Sequence, residues 1–253
     1  STRVRSSAAS DVYKRQEQVD RARAIVKEIG SERCVFYNVF APFSSLRFGA
    51  GAVGLSEEQV MEHVRSDPNA VMRALDAIAQ SNALLAEKLI TEAGCDGVYY
   101  CVQSGEPNRF KPEEYRKIVR PSDLYVLEHA NRFSANNIMH MCGWSGEPNQ
   151  IELWQDYPIK VVNWAVFVEN MTLEQGRKFF GGSTCLGGYE THWDGRIQQG
   201  IIYHGTKEEL QDYTRELILN HGKLGLMLGG DCTIDAKIDW ERLRWIVEAA
   251  RSL

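Results

Sequence analysis

No apolar run in these 253 residues approaches the roughly 20 that cross a bilayer, and no charged start with an apolar middle opens the chain as a secretory leader would. A membrane-spanning helix is not expected, and the cytoplasm is the expected compartment. An excess of base is missing too: 29 lysines and arginines against 34 acids leave a net charge of −5, with the two signs interspersed. Binding a phosphate backbone needs a basic stripe, so nucleic acid is not an expected partner. There is no C-x-x-C pair. The six cysteines (Cys34, Cys95, Cys101, Cys142, Cys185 and Cys232) lie far apart in a chain large enough to build its own core. They read as reduced thiols, free to pack or to bind metal. Internal linkers, low-complexity tracts and short-period repeats are likewise lacking. With 43% hydrophobic and 25% charged residues, the chain has the composition of one large or two small globular domains.

The start differs from the rest. Ser1 to Gln16 is polar and basic without a helical or strand period, and Asp11-Val12-Tyr13-Lys14-Arg15-Gln16 is what a translated cloning adapter resembles. We expect residues 1–16 to be a non-native or disordered leader, and residues 17–253 to form the folded domain.

From Glu17 onward, short apolar runs alternate with longer amphipathic segments. Strand-sized runs fall at Cys34 to Phe40, Gly97 to Val102, Asn137 to Met141, Lys160 to Ala165, Thr184 to Leu186 and Leu224 to Leu228. Helical patterns occupy Glu17 to Ile29, Ser56 to Val64, Pro68 to Ala93, Pro112 to Val119, Ser122 to Phe133, Leu173 to Phe179, Lys207 to Asn220 and Trp240 to Ser252. Ser56 stands three residues before Gln59, Asp67 precedes Pro68, and Thr206 precedes Lys207-Glu208-Glu209, all helix-start chemistry. Alternation of this kind means parallel strands with crossover helices, an α/β protein. Periodicity alone leaves open a doubly wound sheet or most of an eight-stranded barrel. Gly49-Ala50-Gly51-Ala52-Val53-Gly54 contains G-x-G-x-x-G, but eight residues separate it from the preceding strand, and it reads as a flexible loop rather than a phosphate loop.

Chemistry concentrates in two places. An apolar strand ends in His140-Met141-Cys142-Gly143, and because alternate strand residues face the same way, His140 and Cys142 share a side. Later, Leu228-Gly229-Gly230-Asp231-Cys232 takes a strand into glycines and then a thiol. One imidazole and two thiolates suit Zn²⁺, and three protein ligands leave a fourth position open. A hydrogen-bonded core histidine with two packed thiols is the alternative on these residues alone. Trp144, Trp154, Trp164 and Trp193 read as packing residues before a substrate mouth, and His192 and His204 as loop histidines. Met72, Leu75, Ile78, Leu84, Leu85 and Leu89 form a core-facing stripe.

From Val39 to Leu253 the chain resembles the uroporphyrinogen decarboxylase superfamily. The resemblance rests on Val39-Phe40-Ala41-Pro42-Phe43, Ala93-Gly94-Cys95-Asp96-Gly97, Lys111-Pro112-Glu113-Glu114-Tyr115, His140-Met141-Cys142-Gly143, Gly205-Thr206-Lys207-Glu208-Glu209-Leu210 and Gly229-Gly230-Asp231-Cys232-Thr233-Ile234, in that order. It implies a TIM (β/α)8 barrel, here incomplete because the first strands would precede Glu17, with His140, Cys142 and Cys232 at the C-terminal rim.

Two branches of that family differ in chemistry. The decarboxylase removes carboxyl groups from the acetate side chains of a porphyrinogen without metal or cofactor. The resemblance puts its expected tyrosine at Phe48 and its expected histidine at Gly230, two departures. The methyltransferase branch carries one zinc on an H-x-C pair and a later cysteine, positions filled by His140, Cys142 and Cys232, and moves a methyl group between a corrinoid and a thiol. We therefore expect a zinc-thiolate methyltransferase that works with a methylated corrinoid, or a corrinoid protein, and a small thiol. Asp231, Asp156 and Glu190 are the acids available to orient His140. The alternatives are the decarboxylase of porphyrin biosynthesis and a non-catalytic corrinoid-protein partner.

Overall fold

The computed structural model describes residues 2–143, 146–192 and 199–253. Two compact units are present, one of Ser1–Val102 and Glu113–Ile138, the other of Gln103–Pro112 and Met139–Leu253. Among the described residues no helix is long and apolar enough to cross a membrane.

The first unit contains α1 (Thr2–Ile29), β1 (Phe36–Phe40), α2 (Pro42–Ala52), α3 (Glu57–Ser66), α4 (Pro68–Thr91), β2 (Gly97–Val102), α5 (Pro112–Ile118) and α6 (Arg120–Asn131). Strands β1 and β2 pair in parallel, Phe36 opposite Gly97 and Phe40 opposite Cys101. Helix starts follow the local chemistry. Ser56 and Gln59 form a reciprocal capping box, and the Asp67 side chain accepts from the Ala70 N–H ahead of Pro68. The core joins Leu75 and Leu89 of α4, Val98 and Tyr100 of β2, and Val126 and Leu127 of α6, all fully buried.

Three expectations change here. Helix α1 begins at Thr2, not Glu17, because neither glycine nor proline interrupts the run to Ile29; Gly30, at φ +73°, ends it. The segment expected to be a flexible loop, Gly49 to Gly54, lies largely in α2, which runs to Ala52. Pro42 pre-sets the first turn, and burial of Phe43 anchors the helix against the propensity cost of two glycines. Leu84, placed in the core stripe, is 37% exposed, while Leu75, Leu85 and Leu89 are buried.

The second unit contains β3 (Ile138–Met141), β4 (Val161–Trp164), α7 (Leu173–Phe179), β5 (Thr184–Tyr189), α8 (Ile201–His204), α9 (Lys207–His221), β6 (Leu226–Gly230) and α10 (Trp240–Arg251). Its strands lie in chain order, β3-β4-β5-β6. Parallel register sets Asn163 opposite Leu186 and Gly187 opposite Leu228. Thr172 and Thr206 each form a capping box, with Gln175 and Glu209. Tyr189, Ile202, Leu210, Ile238 and Ile246 form one hydrophobic cluster, against which Leu217, Leu228 and Leu243 pack. Parallel strands taken in chain order, with a 3-10 turn at Ile151–Leu153 between β3 and β4 and α-helices between the later ones, are consecutive β/α repeats of a TIM barrel. The described residues supply six strands of the barrel's eight.

Candidate metal centre

Four strand ends of the second unit build one site. Strand β3 carries His140, 3% exposed, and Cys142 follows immediately after its end. Strand β6 ends at Gly230 and delivers Asp231 and Cys232. The turn after β6 is tied to β5 and the residues beyond it. The Asp231 N–H donates to the Tyr189 carbonyl at 2.8 Å, the Gly188 N–H donates to Asp231 Oδ1 at 2.9 Å, and the Cys232 N–H donates to Thr191 Oγ1 at 2.9 Å. Cys142 Sγ and Cys232 Sγ, ninety positions apart in the chain, lie 3.8 Å apart, and Cys232 Sγ lies 3.5 Å from His140 Nε2. All three ligand atoms fall within 4.8 Å of one another.

Those separations can be compared with a metal geometry. A tetrahedral zinc with sulfurs at about 2.3 Å and a nitrogen at about 2.05 Å has S···S and N···S edges of roughly 3.8 and 3.6 Å. The observed 3.8 and 3.5 Å match these edges. The electrostatics also fit a cation. The adjacent Cys142 thiol, and after it burial, push the Cys232 thiol far above its ordinary range, because two neighbouring sulfurs do not both ionise without positive charge nearby. A divalent ion held between them would reverse that balance. His140, Cys142 and Cys232 are thus able to hold a metal.

An amide faces His140 where an acid was expected. The ring's Nδ1 meets Asn163 Oδ1, on β4. Asp231 turns Oδ1 to the Gly188 backbone, and burial pushes its carboxyl up to about 7, against the lowering effect of that bond. Glu190 Oε1 lies 2.8 Å from His192 Nδ1, and Asp156 is exposed. The signal for Asn163 was legible: an amide inside the apolar run Lys160 to Ala165 needs partners if that strand is buried. Of the tryptophans, Trp154 and Trp164 are fully buried packing residues, whereas Trp144 and Trp193 lie outside the described residues. His192 lines a small cavity beside Cys232 with Glu190, Thr191 and Asp231, and His204 is exposed at the end of α8.

Cys142 is held from its other side. Asn149 Nδ2 donates to the Cys142 carbonyl at 3.2 Å and to Glu169 Oε1 at 2.7 Å, while the Asn149 N–H donates to Glu169 Oε2 at 2.8 Å. Burial holds the Glu169 carboxyl above its ordinary value, opposed by those two bonds. Gly143 packs so closely that a methyl group there would stand 2.4 Å from Ala165 Cβ. Gly143→Ala is therefore expected to cost about 1–3 kcal/mol through overpacking and to displace Cys142. Chemical denaturation together with metal titration checks this; an unchanged midpoint and unchanged metal affinity would refute it.

The model of the family described as uroporphyrinogen decarboxylase (URO-D) matches residues 4–253. Among solved structures, the chain is similar to a methyltransferase from Methanosarcina mazei, with a TM-score of 0.72 and 14% identity over 93% of this chain. The chain spans 63% of that structure's length. No curated protein matches.

Proposed function

We propose that this chain, which belongs to the uroporphyrinogen decarboxylase family, serves a zinc-dependent methyl transfer between a corrinoid and a thiol, with His140, Cys142 and Cys232 as the zinc ligands. One observation carries the reading: an imidazole nitrogen and two sulfurs from distant parts of the chain converge within 4.8 Å, with the Cys142–Cys232 and Cys232–His140 separations at tetrahedral-edge length, on the C-terminal ends of barrel strands. The M. mazei neighbour, a methyltransferase, agrees with it.

Bound at these residues, zinc would supply the positive charge that favours thiolate over thiol. The rest falls to the chain's own groups. His140 would contribute a neutral donor and Cys142 and Cys232 two anionic ones, so that the three together would neutralise a divalent charge and leave room for a substrate sulfur. The Thr191 hydroxyl and the Asn149 amide fix the backbone at Cys232 and Cys142, so that both sulfurs are aimed before any ion arrives. The net reaction forms a carbon–sulfur bond, breaks the cobalt–methyl bond of the corrinoid and releases the thiol proton.

The decarboxylase branch is the competing reading, and Phe48 and Gly230 occupy the positions where the resemblance puts its tyrosine and histidine. Elemental analysis and a methylcobalamin-to-thiol assay separate the two. We expect about one zinc per chain and methyl transfer that is lost on chelation and restored by zinc. A zinc-free protein that decarboxylates a porphyrinogen and ignores chelators would end the methyltransferase reading.

A further inference from the structure

We propose that Asn163 is a positioning residue that selects the His140 tautomer, holding the proton on Nδ1 so that Nε2 presents its lone pair to Cys142 and Cys232. Asn163 is fully buried on β4. Its Nδ2 lies 2.8 Å from the Leu186 carbonyl of β5 and 3.2 Å from the Gly230 carbonyl of β6. Carbonyls only accept, so the amide end facing them is the NH2 group; turned over, the side chain would set its own oxygen against two others. Two backbone acceptors on two strands therefore fix which way the amide points.

That orientation has one consequence for the histidine. Asn163 Oδ1 is what faces His140 Nδ1, and an amide oxygen has no proton to give. The ring nitrogen must be the donor. A neutral imidazole carries one N–H, so Nε2 is left with its lone pair, and Nε2 is the atom 3.5 Å from Cys232 Sγ. An apolar side chain at 163 takes this acceptor away, and with it the bond that holds the proton on Nδ1. The consequence for metal affinity rests on the zinc reading above; the tautomer does not.

Nitrogen-15 NMR of the histidine-labelled, zinc-free full chain tests the tautomer at about pH 8, where an ordinary imidazole is neutral. The His140 signals are identified as those missing from His140→Gln. We expect a protonated Nδ1 and an unprotonated Nε2; the reverse would overturn the proposal whatever metal binds. Two variants then separate positioning from a simple strand tie. Asn163→Leu removes the acceptor and is expected to release the tautomer and weaken zinc binding about 10- to 100-fold. Asn163→Asp keeps an acceptor toward Nδ1 and is expected to retain the tautomer, at a cost in stability because its second oxygen then faces the Leu186 and Gly230 carbonyls that the amide N–H groups had satisfied. If Asn163→Leu folds and keeps the wild-type tautomer and affinity, Asn163 only ties strands and the proposal fails. Should Asn163→Leu not fold, the wild-type spectrum and Asn163→Asp still decide. A wild-type protein with the expected tautomer but no zinc affinity would sink the metal reading and leave the Asn163 assignment standing.

Discussion

Replacing Cys232 by serine is expected to remove zinc and thiol methylation together while leaving the zinc-free fold nearly as stable as before. Serine is close to cysteine in size, and the backbone bond from residue 232 to Thr191 survives the change, so packing at this 9% exposed position is disturbed little. The ligand set changes far more. A serine hydroxyl is protonated at neutral pH and harder than a thiolate, so the triad loses one of its two negative donors and its hold on a borderline-soft ion. Zinc content should fall from about one per chain to a small fraction, with activity falling in proportion. Cys185→Ser is the control. Cys185 is also fully buried, its thiol pushed up to about 11 by that burial, but it lies outside the cluster and should leave zinc content unchanged. Equal zinc in wild type and Cys232→Ser would mean that Cys232 is no ligand.

Trp164→Ala should produce the largest loss of stability, about 3–5 kcal/mol in urea denaturation. Trp164 is fully buried on β4, and its indole N–H donates to the Met171 carbonyl at 2.9 Å. Its ring lies against Phe180 and fits so closely over Gly176 that a methyl group at Gly176 would stand 2.2 Å from it. Alanine removes the transferred surface, leaves a cavity and strands a backbone acceptor. Asn163 precedes Trp164 on the same strand, so the variant should also bind zinc less tightly. A tryptophan lining a substrate mouth would behave otherwise, changing substrate affinity at little cost in stability. That outcome would overturn the packing assignment.

Much of the fold was legible in the chain itself, for identifiable reasons. Where apolar residues run together or recur at helical spacing, burial demands one kind of element. Thus β2 falls at Gly97–Val102 and α7 at Leu173–Phe179, as expected from the pattern. Capping side chains act within three or four residues, so Ser56, Asp67 and Thr206 mark helix starts from sequence alone. Helix α2 was missed because its glycines argue locally for a loop, while its anchor, the burial of Phe43, is a tertiary fact.

The site divides along the same line. By itself the sequence determined the candidate ligands, because thiol and imidazole chemistry is a property of residue type and the H-x-C spacing of a strand puts two of them on one side. Only the tertiary structure decided that Cys232 reaches that pair, since eighty-nine intervening residues and three strands separate it in the chain from Cys142, whose sulfur lies 3.8 Å from its own. It likewise decided that Asn163 faces His140. A buried ring takes whatever partner the neighbouring strand presents in register, and register is set by the packing of the sheet rather than by the residues next to the histidine.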